Sequence, residues 1–90
     1  MATVAEILSA ADDSVTVIND INTKGSNSNY VFRGLTQDEI NEIVQRNVDH
    51  LEIILAYDGS HEQPDVAGSS DDKSSYNNAI TTGNAYIAAN

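Results

Sequence analysis

Apolar residues recur along this chain at helical rather than strand spacing. Val4, Ile7, Leu8, Ala11, Val15, Ile18 and Ile21 fall on one stripe of a roughly 3.6-residue repeat, with Glu6, Asp12, Asp13 and Asp20 mostly off it. Thr3-Val4-Ala5-Glu6 is a capping box: the Thr3 hydroxyl can accept from the Glu6 amide while the Glu6 carboxylate reaches back to Thr3. The pattern predicts a first helix over about 4–22. Its weak stretch is Asp13 to Val17, where Asp-Asp-Ser has poor helix propensity and Val15 and Val17 alternate as they would in a short strand.

From Asn22 to Asn29 short polar side chains and Gly25 replace the stripe, and these compete with the backbone for hydrogen bonds, so a loop is expected. Tyr30-Val31-Phe32 are β-prone and predict a short extended segment near 30–32 that drops an aromatic side chain or two over the edge of the core before Gly34.

The second helix carries the clearest signals. Thr36-Gln37-Asp38-Glu39 is another capping box, and Leu35 and Ile40 stand at the two positions of a hydrophobic staple. Ile40, Ile43, Val44, Asn47, Val48, Leu51, Ile54 and Leu55 form its stripe, and Glu42 and Arg46 have the spacing of an i,i+4 ion pair. A helix over about 37–56 follows, ended by Asp58-Gly59. Ile53 falls off the stripe and needs a second apolar contact, within the chain or on another one.

The connection over 58–70 holds the only Pro and is long for a small domain, which makes it a candidate contact surface. Ser69-Ser70-Asp71-Asp72 then offers an N-cap with acids in the first turn, predicting a third helix over about 71–88. Its stripe is Tyr76, Ala79, Ile80, Gly83, Tyr86 and Ile87, but Asn77, Asn78, Thr81, Thr82 and Gly83 have low intrinsic propensity. Packing must hold this helix, and Ala79 and Gly83 would let another backbone come close. The fold class expected is all-α: a single domain over 1–90 built as a small three-helix bundle with long loops.

Composition narrows the function more than the fold. A chain this short buries only about 60% of the surface its unfolded form exposes, so its own core gives modest stability. There is no Cys, hence no disulfide, no thiolate metal site and no thiol nucleophile. Fourteen acids against four bases give a net charge of −10, which opposes binding to nucleic-acid phosphates and to anionic membranes. The acids divide evenly, seven in 1–45 and seven in 46–90, as a solvated surface does. No secretory signal or membrane-spanning run is evident, so a soluble protein is expected.

Candidate chemistry is thin. His50 and His61 are the only imidazoles. Glu42, Asp49, His50 and Glu52 do not converge, because successive helix positions point about 100° apart; His50 reads as a solvated helix-face residue. His61 with Asp58 and Asp65 lacks any pattern that would fix a metal geometry. Two partial calcium loops fail: Asp20-x-Asn22-x-Lys24-Gly25 has a cation at the fifth position and Val31 at the twelfth, while Asp58-x-Ser60-x-Glu62 lacks the required Gly and the terminal Glu. No catalytic, cofactor or metal residue is assigned, and a non-enzymatic role is expected.

The run Leu35-Thr36-Gln37-Asp38-Glu39-Ile40-Asn41-Glu42-Ile43-Val44-Gln45-Arg46-Asn47-Val48-Asp49-His50-Leu51-Glu52-Ile53, with Ala79-Ile80-Thr81-Thr82-Gly83-Asn84-Ala85-Tyr86-Ile87 later, resembles short acidic helical proteins of tailed bacteriophages. The resemblance covers the second and third helices. It implies a phage setting and a place in the virion or the host cytoplasm, and it brings no catalytic motif. A capsid-decorating, neck or tail-associated subunit is the first expectation; an acidic host-directed inhibitor or DNA mimic is the second. Either acts through a protein partner or a homo-oligomer, and the residues singled out as partner contacts are Ile53, Tyr57, His61, Tyr76 and Tyr86.

Overall fold

Both capping boxes form, and each starts a helix where the sequence places it. In the computed structural model, which describes residues 2–90, Thr3 Oγ1 accepts from the Glu6 amide at 3.2 Å while the Glu6 carboxylate accepts from the Thr3 amide at 3.1 Å. Thr36 and Glu39 repeat the exchange at 3.2 and 2.9 Å. Amides that the first helical turn cannot pair internally are thereby satisfied. The helices are α1 (Val4–Lys24), α2 (Gln37–Leu55) and α3 (Ser74–Ala89), with a 3-10 turn at Gly25–Asn27.

Helix α1 passes unbroken through Asp13–Val17. Ser14 and Ile18 are buried, and Val15 and Val17 pack at the margin of the core. Burial of that face outweighs the poor local propensity. The helix runs on to Lys24, where Gly25 at φ 57° donates its amide to the Ile21 carbonyl.

The bundle is all-α, and each helix touches the other two. Leu8, Ala11, Ile18 and Ile21 from α1 meet Ile40, Val44, Val48, Leu51 and Ile54 from α2, and Tyr76, Ala79 and Tyr86 from α3 close the core. Gly83 makes room for side chains of the same chain rather than for another backbone: a Cβ there would lie 2.5 Å from Val48 Cγ2 and 3.3 Å from Val44 Cγ1. The weak third helix is thus held by its two neighbours. Extents of 40 × 21 × 17 Å make the bundle elongated.

Two expectations are corrected. Helix α3 starts at Ser74 rather than Asp71, because the Asp72 carboxylate accepts from both the Ser74 amide, at 2.9 Å, and its hydroxyl. Helix α2 agrees with its expected span, ending at Leu55 with Ala56 as its cap. The stretch around 30–32 is not extended; the Val31 amide donates to the Ser28 carbonyl and the Leu35 amide to the Phe32 carbonyl, so the chain turns twice, and no strand occurs among the described residues. The long connection after α2 is tied down by Val66, which is fully buried, and by a 2.8 Å bond from the Ala67 amide to the Tyr57 carbonyl.

Candidate functional site

The five residues singled out as contacts do not make one exposed surface. Tyr76 and Tyr86 belong to the core. The Tyr76 hydroxyl donates to the Asp12 carboxylate at 2.9 Å, and the Tyr86 hydroxyl accepts from Gln37 Nε2 at 3.1 Å, so each ring anchors α3 to another helix. Tyr57 is half-buried against the core beside the long connection. His61 is exposed, at φ 53°, next to Glu62 at φ 62°. Ile53 is the exposed apolar residue of the five, 56% exposed on α2.

The polar groups that invited chemical readings are engaged otherwise. His50 is exposed, yet its Nδ1 lies 3.1 Å from the hydroxyl of buried Ser14 and links α2 to α1. Asp58 accepts from the Ser60 amide and hydroxyl, which hold its carboxyl below the usual range, the hydroxyl having the larger effect. Asp65 accepts from the Gly68 amide at 2.7 Å. Among the described residues, no three of His, Asp or Glu gather in a way that could hold a metal ion. No described helix is long and apolar enough to cross a membrane.

A different feature emerges at the turn between α1 and α2. An open groove of about 440 Å³ lies between that turn and α2. Its apolar walls come from Tyr30, Phe32, Leu35 and Ile43, and its charged rim from Glu39, Glu42 and Arg46. Phe32 is 80% exposed and Tyr30 43%, while Val31 and Leu35 on either side of Phe32 turn towards the core. Leaving a Phe in water forgoes about 1.5–3 kcal/mol of burial free energy. A large exposed apolar side chain beside an apolar groove is therefore informative where a scattered one would not be.

The turn that presents these rings is held in place. Asp20, near the end of α1, accepts from the Ser28 hydroxyl at 2.6 Å and the Asn29 amide at 3.1 Å, and pairs with Lys24 at 3.0 Å. The Ser28 oxygen in turn accepts from the Tyr30 amide at 3.1 Å. The Ser28 bond first, then Lys24, keeps the Asp20 carboxyl below its ordinary range. Asp20 and Lys24, two positions of the rejected calcium pattern, thus belong to the clamp on the aromatic turn.

On α2 the expected Glu42–Arg46 pair does not close. Lys24–Asp20 is the ion pair found among the described residues. Glu39 is occupied by its capping box, whose bonds from Thr36 hold its carboxyl below the usual range. The groove offers apolar contact and charge, with no imidazole in its lining and no thiol in the chain.

Sequence reasoning placed Tyr30 and Phe32 at the core's edge and passed over them as contacts. The available signal was two aromatics in a polar turn with no helical stripe of their own to join. Comparison of the chain with protein-family models, with curated proteins and with solved structures finds no match in any of the three.

Proposed function

We propose that this chain is a non-enzymatic structural or interaction protein that works by setting its Phe32 edge against another protein surface. The observation that carries the reading is Phe32, 80% exposed on a turn clamped by Asp20. The resemblance to acidic phage proteins supplies the setting: a small virion component of the capsid-decorating, neck or tail-associated kind. An inhibitor that mimics nucleic acid is less well supported, because α3 carries no charged residue and the acidity does not extend over that helix.

The test is mass spectrometry of purified particles from the source, made with the wild-type chain and with Phe32→Ser. Many copies per particle, reduced by the substitution, support the reading. A chain missing from particles removes the virion role, and incorporation indifferent to Phe32→Ser removes the docking edge.

A further inference from the structure

We propose that the groove beside Phe32 seats a second copy of this chain, the two paired about a two-fold axis; this rests on the reading of the Phe32 edge as a contact surface. A two-fold pair brings the same patch of both molecules together, so the patch must be complementary to itself in shape and in charge. This edge carries both halves of each requirement. Phe32 projects, and Leu35 and Ile43 line the groove next to it.

The charges are the stronger argument. Of the chain's four bases, Lys24 is paired with Asp20, and Lys73 donates to the carbonyls of Ser69 and Asp71. Arg33 and Arg46 have no ion-pair or hydrogen-bond partner among the described residues; Arg46 lines the groove and Arg33 follows Phe32 in the chain. Glu42, also in the lining, is unpartnered as well. Unpaired charge of both signs on one apolar edge is what a two-fold contact uses, each Arg46 meeting the other copy's Glu42.

A basic partner segment would be drawn by the net charge of −10 but would meet Arg46 in the groove lining, with Arg33 next to Phe32 in the chain. Two copies repel through their acidic surfaces, and Arg46 in the groove lining offsets that repulsion at this edge. Ile53 extends the patch: it lies two turns, about 10 Å, along α2 from Arg46 and on nearly the same line. That matters because a stable pair needs roughly 800 Å² from each partner.

Sedimentation of the full chain from about 1 µM to about 1 mM tests the proposal. The expected result is a monomer–dimer equilibrium that Phe32→Ser weakens at least about tenfold with the helical circular-dichroism spectrum unchanged. Glu42→Lys and Arg46→Glu each weaken it too, and an equimolar mixture of those two variants restores a dimer. A monomer throughout, a dimer insensitive to Phe32→Ser, or a mixture that stays monomeric overturns the pairing. If the chain is monomeric while particle incorporation still depends on Phe32, a foreign protein fills the groove and the broader reading stands. If Phe32 matters to neither, both fall.

Discussion

The Tyr76 hydroxyl donates to the Asp12 carboxylate at 2.9 Å, fastening the first turn of α3 to the N-terminal half of α1. Burial, and then Asp12, push the Tyr76 phenol up to about 12. An unfolded tyrosine ionises near about 10, so the fold favours the neutral form. Its contribution to stability is complete below about pH 10 and is lost as the pH rises through about 12. Tyr76→Phe should cost about 1 kcal/mol at neutral pH and should flatten this alkaline loss. Urea unfolding of both proteins across that range checks it; parallel loss in the two would contradict the assignment.

Gly83 leaves no room for a side chain against α2. A Cβ built on it lies 2.5 Å from Val48 Cγ2, 3.3 Å from Val44 Cγ1 and 3.4 Å from Ile18 Cγ2. Gly83→Ala gains about 1 kcal/mol of helix propensity and loses about 1–3 kcal/mol to overpacking, so a net destabilisation of about 1 kcal/mol is expected. Val48→Ala makes room for the methyl, and the double variant should be more stable than the two single losses predict by about 0.5 kcal/mol or more. Strict additivity in a double-mutant cycle would mean that Val48 is not the obstacle.

The Ser14–His50 contact should respond asymmetrically. Ser14 is buried at 4% exposure, so His50→Ala strands its hydroxyl and is expected to cost about 1 kcal/mol. Ser14→Ala removes the need for a partner and adds helix propensity, so it should be close to neutral or stabilising. Thermal unfolding of the two single variants and the double decides this. A His50→Ala loss that persists unchanged in the Ser14→Ala background would place the cost elsewhere.

Acid should loosen the aromatic turn as Asp20 takes up a proton. The Asp20 carboxyl is held below its ordinary range, mainly by Ser28 and then by Lys24. With a depressed folded value, its contribution is present above the unfolded carboxylate range, near about pH 4, and is lost as the pH falls through the folded value. Asp20→Ala should remove that part of the acid dependence and speed amide exchange at Asn29 and Tyr30, whose amides Asp20 and Ser28 bind. Hydrogen exchange unchanged at those two amides would show that the clamp is not what orders the turn.

The first two helix starts, the helix stripes and the fold class were legible in the sequence because they rest on interactions within a few residues. Thr3 with Glu6 and Thr36 with Glu39 are complete within one turn, and an apolar stripe needs only the helical repeat. What lay between helices was read less well. Val66 looked like a loop residue and is fully buried; Tyr76 and Tyr86 looked available for partners and are core. The burial of such residues depends on which distant helix lies opposite, and local spacing does not encode that.

The candidate docking edge shows the same division. The sequence by itself determined that Tyr30 and Phe32 follow a polar turn, that Glu42 and Arg46 share a helix face, and that Ile53 stands off the apolar stripe. Only the tertiary structure decided that Val31 and Leu35 turn inward and leave Phe32 out, and that Arg46 stays free of Glu42. It did so through bonds from Asp20 to residues eight and nine positions on, which set the course of the turn against α2. A short-range pattern can specify a helix, whereas a surface is defined by what the rest of the fold leaves uncovered.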